Sequence, residues 1–315
     1  MTASTAKSVE DPFVHNALLY DGDAEYLAGT VPFITDGLAA GEPVAASVPT
    51  RQLALLREEL GPVAADVRLL DMTEVGRNPG RVLAGVLLAF AGAYPDRHVR
   101  IIGETVWPLR SPEEYPECVA QEALVNRAFT GRRATILCAY DVQGLDATAV
   151  ADAAVTHPTL IDGGGSRDSD RYAPDSAISA ANAALPVPPD ALTCVVDMPD
   201  MSDLRRLAGT YAVGHGLSED RAQDLVLALT ELASNSLEHA HSRATVLLGG
   251  TGTRLVCQVR DTGHITDPLI GRRPAPPDQL RGRGLLLVNQ LSDLVRVHTS
   301  PAGTTVEIQF TLGGT

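Results

Sequence analysis

Lysine is almost missing. Lys7 is the only lysine in 315 residues, so every other basic side chain is arginine. A GxxxxGK[ST] phosphate loop is thereby excluded, and so is Schiff-base or lysine-base chemistry in the body of the protein. Aromatic residues are scarce at 4%, with Trp107 the single tryptophan. Positive charge is outnumbered, leaving a formal net charge of -14. That argues against a general nucleic-acid or anionic-membrane surface, while leaving room for a basic protein partner. Long apolar runs are missing too. The most apolar stretch, Val82 to Phe90, falls far short of the roughly 20 residues that span a bilayer. The opening MTASTAKSVEDPF has no apolar core, so no signal peptide is expected. These absences predict a cytoplasmic protein with no direct contact to nucleic acid or membrane. The four cysteines, Cys118, Cys138, Cys194 and Cys257, are widely spaced with no CxxC, and three sit in apolar stretches. They read as buried reduced thiols, with a redox or metal role the alternative.

What is present is enough for two domains. Up to about residue 160, short apolar runs alternate with helical periodicity. The runs are Ala17–Tyr20, Pro43–Val48, Val67–Leu70, Val99–Ile102 and Ala134–Tyr140; the helical stretches are Ala24–Ala39, Thr50–Leu60, Pro79–Tyr94 and Glu114–Phe129. Near-continuous apolar strands between helices predict an α/β domain with a parallel sheet, over 12–160. Residues 161–190 crowd Gly, Ser, Asp and Pro around a short Ala-rich stretch, which reads as a linker with a helical turn or two. From 191 to 315 the pattern restarts. Strands are expected at Leu192–Val196, Ala244–Leu248, Leu255–Arg260, Leu294–His298 and Thr304–Phe310. Helices are expected at Asp203–His215, at Gly284–Leu291, and from a Ser218 cap to about Ala240. Long helices set against a mixed sheet predict an α/β sandwich.

Three segments carry chemistry. In LVLALTELASNSLEHA, Leu225, Leu229 and Leu232 share one face, while Glu231 and Asn235, four apart, project together from another. Such a pair suits an amide that ligates Mg²⁺ beside a general base, although an exposed pair without function has the same spacing. In VRDTGHI, a strand ends in Asp261, and Gly263 permits close approach to the backbone; a plain turn would look alike. In RGRGLLLVNQLSD, Gly282 and Gly284 precede a helix, where free N–H groups and the helix dipole favour an anion. Arg281 and Arg283 flank them, as do Arg272 and Arg273.

Taken in order, Glu-x-x-x-Asn, Asp-x-Gly and Gly-x-Gly at a helix start resemble the N, G1 and G2 boxes of GHKL (Bergerat) ATPases. The closing GTTVEIQF resembles that family's last element. ASNSLEHA is most similar to the anti-sigma-factor serine kinases. The resemblance implies ATP and Mg²⁺ as ligands, with Asn235 holding Mg²⁺, Glu231 activating a hydroxyl, Asp261 and Gly263 receiving adenine, Gly282 and Gly284 meeting phosphates beside Arg281 and Arg283, and Thr305 supporting the adenine side. It also implies a sigma factor or a STAS-type anti-sigma-factor antagonist as partner, phosphorylation of Ser or Thr on the antagonist, and a possible homodimer. One departure stands out: the first glycine box lacks its second glycine and has Ile265 there. That leaves a non-catalytic, partner-sequestering module as the alternative. Histidine kinases are not expected, for want of a helical dimerisation hairpin; nor are gyrase-type ATPases, for want of a following transducer domain.

The first half resembles the MEDS sensory domain. The phrases are His15-Asn-Ala-Leu-Leu-Tyr20, Pro32-Phe33 with Gly37-Leu38 and Gly41-Glu42, Gly103-Glu104 with Trp107, Leu137-Cys138-Ala139-Tyr140-Asp141, and His157-Pro158. The expected architecture is therefore an N-terminal RecA-like parallel-sheet domain plus a C-terminal Bergerat α/β sandwich. His15, Glu104, Trp107 and His157 are the candidate contacts of a sensory ligand, several of them expected where strands end.

Overall fold

The computed structural model describes residues 12–274 and 282–313. Its first half is a seven-stranded sheet in the order β3-β2-β4-β5-β1-β6-β7. The strands are β1 (Phe13–Tyr20), β2 (Val44–Val48), β3 (Arg68–Asp71), β4 (Val99–Gly103), β5 (Ala134–Asp141), β6 (Thr159–Asp162) and β7 (Gly165–Asp168). All pairings are parallel except β6 with β7. β2 is buried at every position, as a strand covered on both faces must be. The covering helices are α1 (Gly22–Ala39), α2 (Thr50–Leu60), α3 (Met72–Val75), α4 (Pro79–Arg81), α5 (Ala89–Gly92), α6 (Tyr115–Phe129), α7 (Ala147–Thr156) and α8 (Pro174–Ala181). A π-helical segment, Val82–Leu88, joins α4 to α5.

The second half is a five-stranded antiparallel sheet in the order β11-β12-β10-β9-β8. Its strands are β8 (Leu192–Val196), β9 (Ala244–Thr251), β10 (Arg254–Asp261), β11 (Leu294–Ser300) and β12 (Gly303–Thr311). On one face lie α9 (Met201–Gly214), α10 (Glu219–Glu238) and α11 (Gly284–Leu291). Leu225, Leu229 and Leu232 of α10 share a core there with Val246, Cys257, Ile308 and Phe310. Ser218 caps α10 by accepting from the Arg221 N–H at 3.3 Å. The helix start was legible because that residue type satisfies an otherwise orphan donor.

The stretch 161–190 holds more structure than its composition predicts. β6 and β7 extend the first sheet, and α8 packs against α6 and α7. The chain then crosses the open face of the second sheet. Asn182 donates to the Thr299 carbonyl at 2.9 Å, and Gln258 donates to the Pro186 carbonyl at 2.6 Å. Tertiary hydrogen bonds fix a segment whose local preference is to be free.

The two halves also meet around the end of α11. Asn78 donates to the carbonyls of Asn289 (2.9 Å) and Ser292 (3.3 Å), while its own carbonyl oxygen caps α4 at Gly80 N. Arg81 reaches the carbonyls of Asn289, Gln290 and Ser292. Asn78 is fully buried. Asn78→Ala should therefore leave those carbonyls to Arg81 alone and remove the cap from the Gly80 N–H, lowering the stability of the full chain by about 1–3 kcal/mol in chemical denaturation. An unchanged midpoint would refute the contact.

Candidate functional site

In the second half, α10, the ends of β10 and β12, the loop after β10 and the start of α11 enclose a cavity of about 290 Å³. The apolar face of α10 is consumed by the core, which turns its polar positions to this cavity. Asp261 is held from two sides: Ser236 Oγ donates to one carboxylate oxygen at 2.7 Å, and Gly263 N donates to the other at 2.7 Å. A hydroxyl relay holds the loop. Thr304 Oγ1 donates to the Gly263 carbonyl at 2.8 Å, Thr299 Oγ1 lies 2.8 Å from Thr304 Oγ1, and Ile265 N donates to Thr299 Oγ1 at 2.9 Å.

Two glycines allow close packing at the cavity. A Cβ on Gly284 would stand 2.9 Å from Glu231 Oε2 and 3.2 Å from the Asn235 amide nitrogen, and one on Gly263 would stand 2.7 Å from Ala240 Cβ. Gly282 has φ +87°, which favours glycine. The start of α11 thus lies directly against the Glu231/Asn235 pair.

Asn235, Asp261, Gly263, Gly282 and Gly284 all line this one cavity, as does His239. Glu231 does not; it stands behind Gly284. Arg283 is exposed at the cap of α11 and is not in the lining. Arg281 lies outside the described residues. The expectation for Thr305 is corrected: Thr304 lines the cavity, because alternate residues of β12 face opposite ways, and Thr305 points to the other side. Ser236, Thr299 and Thr304 were missed from sequence, since isolated Ser and Thr carry no distinguishing pattern.

Ile265, the residue in place of the second glycine, lines this cavity and a second one of about 390 Å³. That second cavity lies between the halves, bounded by α6, α8, α11 and β11. The loop 264–267 forms the shared wall, and it is tied to the first half. Leu269 is buried in the core of the first half, and Arg272 pairs with the buried Glu117 of α6.

Comparison with known families matches residues 14–158 to the MEthanogen/methylotroph, DcmR Sensory domain (MEDS) and residues 196–310 to the histidine kinase-like ATPase domain. This chain joins a MEDS domain to a histidine kinase-like ATPase domain. A solved structure of the RsbU and RsbW domains of Rv1364c from Mycobacterium tuberculosis is 17% identical, over 39% of this chain and 33% of that one, with a TM-score of 0.30. The chain spans about a third of the length of that structure. The search of curated proteins finds no match. Among the described residues no helix is long and apolar enough to cross a membrane.

In the MEDS domain the four expected ligand contacts separate into two places. Glu104 and Trp107 follow β4, at the carboxyl edge of the sheet. His15 lies near the start of β1, and His157 precedes β6. Several of the four were expected where strands end; Glu104 and Trp107 lie there and the two histidines do not, because β1 begins at Phe13, four residues before the apolar run that marks it. Trp107 is buried under the Arg110 guanidinium, 3.6 Å from the ring centroid. Glu104 is fully buried and accepts from Tyr20 OH at 3.2 Å; Gln52 donates to the same hydroxyl at 3.1 Å.

Burial pushes the Glu104 carboxyl up to about 8 from its usual 4.5. The folded value exceeds the unfolded one, so the neutral acid favours folding below pH 4.5, and that contribution is lost as pH rises towards 8. Wild type should therefore lose stability relative to Glu104→Gln between pH 5 and 8, on the order of 1 kcal/mol per pH unit. Parallel denaturation curves across that range would contradict the buried acid.

Proposed function

We propose that the ATPase domain binds ATP with Mg²⁺ in the 290 Å³ cavity and transfers the γ-phosphoryl group to a serine or threonine of an anti-sigma-factor antagonist, alternating with binding of a sigma factor under control of the MEDS domain. The observation that carries this reading is the convergence of Asn235, Asp261, Gly263 and the glycine start of α11 on one cavity. The donor set fits the ligand. The Asn235 amide oxygen is the group that would hold Mg²⁺, which neutralises phosphate charge when bound. Gly282 and Gly284 line the cavity at the start of α11, where helix N-terminal N–H groups would meet phosphates, and the missing Cβ of Gly284 keeps that start close to Asn235. Asp261, immobilised by Ser236 and Gly263, offers a fixed acceptor to an exocyclic amine. Glu231 would take the proton of the attacking hydroxyl.

A second reading is favoured by one observation. Glu231 stands behind Gly284 and outside the cavity lining, which suits a module that sequesters its partner and uses nucleotide only as a structural ligand. Melting the full chain with and without ATP and Mg²⁺ tests both. Saturation at 100 times Kd stabilises by about 2.7 kcal/mol. A magnesium-dependent rise is expected, and Asn235→Ala or Gly284→Ala should abolish it; no rise in the wild type would overturn nucleotide binding. Labelled ATP with STAS-type antagonists then separates the readings. Transfer that drops at least a hundredfold in Glu231→Ala supports the kinase. A stable sigma-factor complex indifferent to that substitution, without transfer, supports sequestration.

A further inference from the structure

Behind the parallel sheet of the MEDS domain, four ligand-type side chains meet with no solvent access. They are His15 on β1, Cys138 on the neighbouring β5, Glu122 on α6, and His157 at the end of α7. One donor atom from each lies within 4.8 Å of all the others. His15 Nε2 is 3.3 Å from Cys138 Sγ and 3.8 Å from Glu122 Oε2; His157 Nε2 is 3.5 Å from the same oxygen.

The surroundings fix which atoms face inward. Asn126 donates its amide hydrogens to the carbonyls of Thr156 (2.8 Å) and Ala123 (3.2 Å), which turns its oxygen to His15 Nδ1 at 3.0 Å. A carbonyl oxygen only accepts, so His15 carries its hydrogen on Nδ1. His157 Nδ1 lies 3.0 Å from the Ala153 carbonyl, which only accepts, and 2.9 Å from Thr156 Oγ1, whose own hydrogen goes to the Asp152 carbonyl at 3.0 Å, so this ring too carries its hydrogen on Nδ1. Both imidazoles therefore present bare Nε2 lone pairs to Glu122 and Cys138. Inside the cluster three acceptors face one another with at most one thiol hydrogen among them. Glu122 Oε2 and His157 Nε2 have no hydrogen-bond partner. Buried polar atoms are rarely left so, and a cation at the centre would satisfy all of them at once.

We propose that His15, Glu122, Cys138 and His157 form a divalent transition-metal site of the zinc class. The edges of a tetrahedron with bonds of about 2.0–2.3 Å are about 3.3–3.8 Å long, which matches the three separations above. One carboxylate and one thiolate neutralise the dication, so the buried site carries no net charge. Imidazole and thiolate together select zinc-like ions over Mg²⁺ or Ca²⁺. Asn126 and the Ala153 carbonyl act as positioning groups that hold the two rings, as partners beyond the ligands of metal sites commonly do. Four protein ligands close the coordination shell, which assigns the ion a structural role in the domain. The site is independent of the nucleotide cavity, and its test does not rely on kinase activity.

The full chain, purified without chelator and dialysed against metal-free buffer, is analysed for metal and then exchanged with Co²⁺. The expected result is about one zinc-class ion per chain, and a cobalt form with visible tetrahedral bands and a thiolate-to-metal charge-transfer band in the near ultraviolet. Cys138→Ser should lose the charge-transfer band, whereas Cys194→Ser, a control at the edge strand β8, should keep it. Asn126→Ala should weaken Co²⁺ binding about 10–100-fold. Folded wild type that binds neither Zn²⁺ nor Co²⁺ would overturn the proposal even if the variants do not fold. So would a cobalt spectrum that Cys138→Ser leaves unchanged.

Discussion

A helix must place its last four carbonyls somewhere, and in this protein the answer to that requirement joins the two domains. The eight-residue α11 begins against Glu231 and Asn235 and ends in carbonyls that the MEDS domain completes. Asn78 and Arg81 take those of Asn289, Gln290 and Ser292, while Arg221 of α10 takes that of Leu291 at 2.8 Å. Positive charge at that end also suits the helix dipole. Asp293 extends the joint, because Arg77 of the MEDS domain and Arg221 of the ATPase domain share its Oδ1. One short helix therefore has its glycine end on the proposed nucleotide cavity and its carbonyl end in the MEDS domain.

A second connection runs beside it. The loop that closes the cavity past Gly263 continues into Leu269, sunk in the MEDS core, and Arg272, paired with Glu117. Glu117 lies one helical turn and a residue from Glu122, so α6 faces the loop at one position and the histidine cluster at another. Ile265 gains a physical explanation in this arrangement. A glycine there would leave the partition between the two cavities open, whereas the branched side chain forms wall on both sides. The departure from the family's glycine pattern coincides with the place where a second domain presses on the loop.

How much of this was legible depended on whether the cause was local. α10 and α11 were readable because caps, glycines and 3.6-residue periodicity are local signals, and they brought Asn235, Asp261, Gly263 and Gly284 to one cavity. Thr305 was misplaced by one residue because strand facing depends on register, which two adjacent threonines at the start of the strand do not fix. The stretch 161–190 looked free because its restraints come from residues far along the chain, such as Gln258 reaching Pro186. His15 and His157 were singled out; Cys138 was named only as one of four cysteines for which a metal role was the alternative, and Glu122 was not named. An acid inside an amphipathic helix and a cysteine inside an apolar strand look ordinary until the parallel register sets Ala17 opposite Cys138.

The near-absence of lysine, which first served only to exclude a phosphate loop, has a positive counterpart at the domain joint. Arg81 serves three carbonyls from one guanidinium, and Arg221 serves a carbonyl and two carboxylates while its carbon lies 4.7 Å over the Phe310 ring. These tasks need a planar group with donors at fixed angles that remains charged when half-buried; an ammonium offers three donors around a single point and is more strongly hydrated. Arg272, which pairs with Glu117 while 11% exposed, is subject to the same demand. A joint made of convergent carbonyls and carboxylates is chemistry for arginine: Arg81 and Arg221 each serve three partners from one guanidinium, at angles that a lysine ammonium does not match.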